Sequence, residues 1–357
     1  MANSRQFYAN SALFCKTAGS GGAYTFIRGI QSASDSFDLP AEYLLEWGQV
    51  GLYEAHDGIA DVTFNAEKLI DGGVPLYLVA TQGSTAASLT ARSEKRSVLA
   101  VGIYPSDADY VSGTPTRVIE YSGQQVTNIS YNFNTDGPFN ESIAFLGNYA
   151  KWTAAGATYG TIPANPTSSG ADVPPALTSC SGGIQFKENF LFTGTYPSLL
   201  PTFVPGITSS GTMTMSNSCP TVPVQSITVS CDLSRDTVPQ LGCKTPYARL
   251  AQFPVDVTSE ISILSQSGHG LEITETGATL VGCEYTNAPS SRLRFCTESG
   301  LVIDLGSQNK LTSVTQTYGD TGGSNANYTL SFTNKSVMSV FHPNDPSTGI
   351  AAYAGSP

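Results

Sequence analysis

Ile30-Gln-Ser-Ala-Ser-Asp-Ser-Phe-Asp-Leu39 and Val224-Gln-Ser-Ile-Thr-Val-Ser-Cys-Asp-Leu233 are one stretch of sequence written twice. At a constant offset of 194, Gln31/Gln225, Ser32/Ser226, Ser36/Ser230, Asp38/Asp232 and Leu39/Leu233 are identical. Gly48/Gly242 and Tyr53/Tyr247 continue the series without a gap. One residue is then inserted, and Asp61-Val-Thr63 meets Asp256-Val-Thr258 at offset 195. Further on, Val126-Thr-Asn-Ile-Ser-Tyr-Asn-Phe133 lines up with Leu311-Thr-Ser-Val-Thr-Gln-Thr-Tyr318 at offset 185. Each of these runs enters a Gly/Asp turn and returns, as Glu141–Leu146 in the first copy and Asn327–Phe332 in the second. Three blocks in the same order mark an internal duplication.

The repeated blocks alternate apolar and polar residues. Ile227–Cys231, Val255–Leu264, Leu271–Glu275 and Leu301–Leu305 all show the period of two expected of strands with one face on a core. Gly, Pro, Asn and Asp clusters punctuate them as turns. Asn132-Phe-Asn-Thr-Asp136-Gly137 opens like a calcium loop, but its twelfth position is Ile143 where a bidentate Glu is needed, so a turn with Asp136-Gly137 at its tip is expected. One helix is expected, Ser84–Leu99, with Arg92, Lys95 and Arg96 toward the end where cations suit the helix dipole. The corresponding stretch of the second copy, around Asn287–Phe295, contains Pro289 and reads as non-helical. The expected organisation is an N-terminal arm over 1–25, a first β domain over 26–150, a Pro/Gly/Ser-rich extended arm or inserted linker over 151–222, a second β domain over 223–345, and a C-terminal tail over 346–357. The middle segment carries one sticky island, Gly183–Phe192, and as an extended arm or hairpin is expected to dock on a neighbour.

Composition narrows the function. Of 357 residues, 40% are apolar and only 13% charged, so the surface must be rich in Ser, Thr, Asn and Gly. A net charge of −11, with 17 Lys and Arg, argues against a protein that grips phosphate backbones. No apolar run is long enough for a membrane-spanning helix. The opening Met1-Ala-Asn-Ser-Arg-Gln-Phe-Tyr8 lacks the basic and apolar regions of a signal peptide, which predicts synthesis in the cytoplasm. The four Asn-x-Ser/Thr sequons are then products of composition alone.

Three histidines (His56, His269, His342) and seven cysteines without a Cys-x-x-Cys offer no metal or redox site, and no cofactor is expected. No nucleophile elbow, His-Glu-x-x-His or phosphate-cradling glycine loop is present, so no enzymatic role and no catalytic residue are expected. Six of the cysteines fall between 180 and 296. Buried thiols are the plainer reading; bridges formed in an oxidising medium are the sharper one. Cys283 and Cys296 flank the turn signal Asn287-Ala-Pro-Ser-Ser291, which would set them on adjacent antiparallel strands within disulfide reach.

Glu46-Trp-Gly-Gln-Val-Gly-Leu-Tyr-Glu54, Ile59-Ala-Asp-Val-Thr-Phe-Asn-Ala-Glu-Lys-Leu-Ile-Asp-Gly72 and Pro75–Thr81 resemble the major tail (tail tube) proteins of tailed bacteriophages. The second copy carries comparable runs at Leu241–Tyr247, Phe253–Ile261, Gly300–Gly306 and Asn309–Val314. The resemblance covers about 30–150 and 223–335. It implies an all-β chain of two tandem tube-like β-sandwich or barrel domains, with one helix flanking the first. It also implies a virion structural protein, assembled in the host cytoplasm, that stacks in rings to form the tail tube, the conduit for DNA ejection. The implied partners are copies of itself, other tail proteins, and genomic DNA passing through without specific binding; membrane insertion is not implied. Two domains per chain suggest a ring of three chains, a trimeric pseudo-hexamer, with a hexamer as the competing count. The alternative is another virion component, a neck, capsid-decoration or tail-fibre protein.

Overall fold

A computed structural model describes residues 8–17, 24–82, 87–105, 115–154, 183–191, 193–195, 212–214, 224–243, 245–264, 293–306, 308–319 and 325–342. In chain order the first half comprises strands β1 (Ser11–Thr17), β2 (Thr25–Phe26), β3 (Ile30–Asp38), β4 (Ala41–Leu45), β5 (Leu52–Asp57) and β6 (Asp61–Leu69). Two short helices follow, α1 (Leu76–Ala80) and α2 (Leu89–Ser93), then β7 (Ser97–Ile103), β8 (Arg117–Asn134), β9 (Asn140–Gly147) and β10 (Tyr149–Ala154). The second half holds β11 (Phe190–Leu191), β12 (Thr193–Thr195), β13 (Thr212–Thr214), β14 (Val224–Asp232), β15 (Arg235–Val238), β16 (Ala248–Ala251) and β17 (Asp256–Leu264). It ends with β18 (Arg294–Thr297), β19 (Val302–Asp304), β20 (Lys310–Thr317), β21 (Asn327–Lys335) and β22 (Ser339–Phe341). The chain is all-β.

The alternating stretches become ladders because one face of each can be buried. In β6, Val62, Phe64, Ala66 and Lys68 point inward while Thr63, Asn65 and Glu67 point away. In β17, Val257, Ser259, Ile261 and Ile263 do the same. β3, β6, β9 and the second half of β8 form the order β3-β6-β9-β8; β14, β17, β21 and β20 form β14-β17-β21-β20. The correspondence reaches single residues. Phe37 faces Val62 as Cys231 faces Val257, and Val62 faces Gly147 as Val257 faces Asn334. Ile129 faces Ile143 as Val314 faces Leu330. Even the register shifts recur, at Ile30/Ser32 and Val224/Ser226 and again at Val126/Asn128 and Leu311/Ser313. β-Bulges are built features of a sheet, so their repetition is part of the duplication.

β8 joins these units to the rest. Its 18 residues span about 60 Å at about 3.3 Å each. Its first half pairs with β7 and β10, its second half with β9 and β14. The strand changes layers where Gly123 takes a φ of +69°, a backbone conformation that suits glycine. β7 in turn pairs with β1, and β1 with β2, giving a second layer over the first unit. α1, with all five residues buried, fills the space between that layer and β8 and β9. In the second unit β11-β18-β19-β22 supplies a smaller counterpart layer. One hydrophobic core runs through both units, from Leu13 and Phe64 to Ile261 and Val340.

Several expectations are corrected. The helix expected over Ser84–Leu99 shrinks to Leu89–Ser93 among the described residues, and Ser97–Leu99 begins β7. Ser97-Val-Leu-Ala-Val-Gly-Ile103 is a short apolar run inserted between β1 and β8, and that pairing overrides local helix preference. The arm expected over 1–25 contains β1, whose Phe14 and Cys15 are fully buried. β10 crosses the boundary expected at residue 150. The island's described residues, 183–191, pack on their own chain. The Phe139 amide donates to Gln185 O, the Gln185 amide to Ile70 O, and Phe190 packs edge-on to Phe133. Cys283, the strand expected at Leu271–Glu275 and the tail at 346–357 lie outside the described residues.

Candidate assembly interface

β8, the last strand of the first unit, is hydrogen-bonded to β14, the first strand of the second. Ile227 faces Phe133, Val229 faces Tyr131, Ser230 faces Ser130 and Cys231 faces Ile129. The two units are therefore joined edge to edge and head to tail into β3-β6-β9-β8-β14-β17-β21-β20. The inward side chains at this junction, Ile227, Val229 and Cys231, are all at most 2% exposed.

A hairpin clamps the junction. β15 and β16 pair with each other and lean on the first unit. Arg235 donates from Nε (2.9 Å) and Nη2 (2.6 Å) to Val126 O, from Nη2 to Ser93 O (2.6 Å), and from Nη1 to Arg249 O (3.3 Å). Val126 O sits at the bulge of β8, and Ser93 O is a carbonyl of the last turn of α2, which has no partner within the helix. Burial pushes the Arg235 pKa down to about 10, with Glu94 opposing, so the guanidinium stays charged near neutrality. Arg249, 3% exposed, is ion-paired with Asp61 at the start of β6. The Ala251 amide donates to Glu94 Oε1 at 3.1 Å.

Beneath the junction, Glu141 ties α1 to the sheet. It is 1% exposed and accepts from the Leu76 amide (2.7 Å), the Tyr77 amide (3.2 Å) and Tyr131 Oη (2.9 Å). Burial raises its pKa; Lys68 and these hydrogen bonds act the other way.

Each end of the eight-strand order is an open edge. Among the described residues β3 has only β6 as ladder partner, and β20 only β21. The contrast between equivalent strands is direct: β14 alternates buried and half-buried residues, whereas every residue of β3 after Ile30 is exposed. Unpaired edges are aggregation hazards unless something covers them.

The sheet's outward face carries hydroxyls and amides: Ser34 and Ser36, Thr63 and Asn65, Ser130 and Asn132, Thr228 and Ser230, Thr258 and Ser262, Thr329 and Ser331. Its charges are Asp38, Asp61, Glu67, Asp232, Asp256 and Glu260 against Lys310 and Lys335, with Asp256 paired to Lys335 and Asp61 to Arg249. The face is polar and acidic.

Every ladder in this sheet is antiparallel, so β3 and β14, four places apart, run the same way. The hairpins that follow them, β4–β5 and β15–β16, leave from one rim. β4–β5 is exposed throughout, and at its tip Trp47 and Val50 are wholly in solvent; Leu241 at the tip of the second hairpin is too.

Among the described residues no group of three or more His, Cys, Asp and Glu could hold a metal, and no helix is long and apolar enough to cross a membrane. Of the cysteine pair singled out in the sequence, Cys296 is buried in β18 between β11 and β19; its expected partner lies outside the described residues. The open edges and the arginine clamp were not legible as a site, because hydrogen-bonding strand edges have no residue signature. The only signal available was the duplication, which requires a junction.

No protein-family model matches the chain, and no curated protein matches it. Among solved structures it is similar to the tube-terminating cap of the anti-feeding prophage, at 10% identity and a TM-score of 0.32, over 43% of this chain and 95% of that one. It is also similar to a chain of the extended sheath–tube complex of an extracellular contractile injection system, PVC. That match has 11% identity and a TM-score of 0.30, again over 43% and 95%.

Proposed function

We propose that this protein is a structural subunit of a phage-type tail tube, and that three chains close a ring whose wall is a continuous β-sheet. The observation that carries the reading is the junction. One chain already joins two equivalent units head to tail through β8 and β14, and among the described residues leaves β3 and β20 as the same two edges unpaired. A head-to-tail contact of this kind makes a ring when the rotation closes. The solved structures above come from tube and cap assemblies, but the proposal rests on the junction and not on them.

Geometry selects the number of chains. Strands stand about 4.8 Å apart and tilt by up to about 40° in closed sheets. Sixteen strands from two chains would leave a bore of about 14–22 Å after allowing about 5 Å of side chain on each wall, too tight for a hydrated duplex. Twenty-four strands from three chains leave about 27–38 Å, which passes one. The core face of the sheet carries the second layer and the helices, which need the larger outer radius, so the polar face lines the bore. A conduit should not hold its cargo. The excess of carboxylates repels a polyanion weakly, and only within a Debye length of about 8 Å.

The hairpin rim supplies stacking. Six hairpins per ring would present Trp47, Val50 and Leu241 to the next ring, giving apolar tips a partner. Electron microscopy of the purified protein tests the reading: rings or tubes with an open centre are expected, and compact monomers at every concentration would overturn it.

A further inference from the structure

The duplication places each residue of β3 over a residue of β14, and each of β20 over one of β8, so the junction within the chain prescribes the contact between chains. We infer that β20 of one copy pairs antiparallel with β3 of the next in one register, fixed by a polar pair, Asp35 with Gln316. This deepens the ring reading and rests on it. Shifting the β8–β14 register by the repeat offsets sets Phe37 opposite Val314, Asp35 opposite Gln316 and Ala33 opposite Tyr318 on the core side. Ser36 then faces Thr315 on the polar side.

These pairs fit. Phe37 and Val314 are apolar, as Cys231 and Ile129 are in the equivalent place. Ala33 leaves room for Tyr318, which is 70% exposed in the single chain. Asp35 is the informative residue. It faces Phe64, whose side chain is buried, so it points to the core side, where its counterpart Val229 is fully buried. Tyr121 Oη donates to it at 3.0 Å. Opposite it would lie the Gln316 amide, whose nitrogen has two hydrogens and gives one to Tyr328 Oη at 2.7 Å. The second is placed to donate to Asp35. An inward-pointing charge protects a lone edge strand from casual pairing. Only a strand that brings a donor to that one position relieves it, and a one-residue slip turns Gln316 to the other face.

The seam between chains also differs from the seam within. The clamping arginines Arg235 and Arg249 correspond to Ala41 and Ala55 in the first hairpin. The contact between copies therefore relies on the strand pair itself.

Paired cysteines test the register, in a Cys243→Ser background because Cys243 is exposed. Ser130→Cys with Ser230→Cys should oxidise within one chain and calibrates the geometry. Ser36→Cys with Thr315→Cys should cross-link between chains and stop at three, whereas Ser32→Cys with Thr315→Cys, four residues out of register, should not. Asp35→Leu or Gln316→Leu should raise the concentration needed for ring assembly about ten- to hundred-fold. Asp35→Val with Gln316→Tyr copies the pair inside the chain and should restore it. Rings that cross-link only in the shifted pair, or that ignore both leucine variants, overturn the register while leaving the ring reading intact. Wild-type protein that forms no ring overturns the reading itself. Should a leucine variant fail to fold, the cysteine pairs still decide.

Discussion

Ionising Glu141 puts a carboxylate where only two backbone amides, Tyr131 Oη and the more distant Lys68 can answer it. Burial is the larger effect and raises its folded pKa above the ordinary 4.5, so the native state binds the proton more tightly than the unfolded chain does. Its contribution to stability is then fully present below pH 4.5 and is lost as pH rises through the raised value. Glu141→Gln should flatten that slope. Urea midpoints of both proteins across the acid-to-neutral range check this, and parallel profiles would refute it. Arg235 makes the opposite kind of prediction, independent of pH near neutrality. Arg235→Ala leaves Val126 O and Ser93 O without their donor and should cost about 2 kcal/mol, with Arg235→Lys recovering only part, because an ammonium cannot span two carbonyls as a fork does. Equal stability for all three proteins in denaturant would show that the clamp is ornamental. Neither residue was legible in sequence. Alternation alone puts Glu141 on the face of Ile143 and Phe145, but the Leu76 and Tyr77 amides and Tyr131 Oη that hold it are brought together only by the fold.

At the level of elements, the strands that repeat are readable, as is β19 from the alternation of Leu301–Leu305, whereas β1 and β7 are not. β3, β6, β14, β17, β20 and β21 each combine alternation with a partner at a fixed offset, and their starts fall within a residue of the repeated blocks. β1 belongs to no block of the sequence repeat, is buried on both faces, and is followed by Gly19-Ser-Gly-Gly22, so its sequence reads as a loose terminus. β7 failed for the related reason that a short apolar run does not distinguish a buried strand from a buried helix turn. The hairpin β4–β5 contains the run Glu46–Glu54 that resembles tube proteins, but its complete exposure is visible only in the structure. Because Trp47 and Val50 touch nothing in the chain, Trp47→Ser with Val50→Ser should change folding stability by no more than about 0.5 kcal/mol. The same change should abolish stacking while leaving single rings. Thermal melts and micrographs of one preparation separate the two effects; tubes of normal length would show that the hairpin tips do not join rings.

Over the whole molecule, the duplication gives one chain an eight-strand order, one continuous core, one polar face and one rim of hairpins, and the proposed ring would join its two end strands. The ordinary reason for an acidic chain is solubility, and the net charge of −11 serves that as well. In the proposed conduit its placement matters: among the described residues six carboxylates and two lysines lie on the outward sheet face, with Asp61 paired to Arg249 and Asp256 to Lys335. The central claim is that the seam inside the chain is repeated between chains. Cryo-electron microscopy of the assembled protein at a resolution that separates strands measures this directly. The account predicts rings of three chains and an unbroken wall of twenty-four strands, with β3 of each chain hydrogen-bonded to β20 of the next and the polar face inward. Six chains per ring, or a wall in which β3 and β20 remain unpaired, would contradict it.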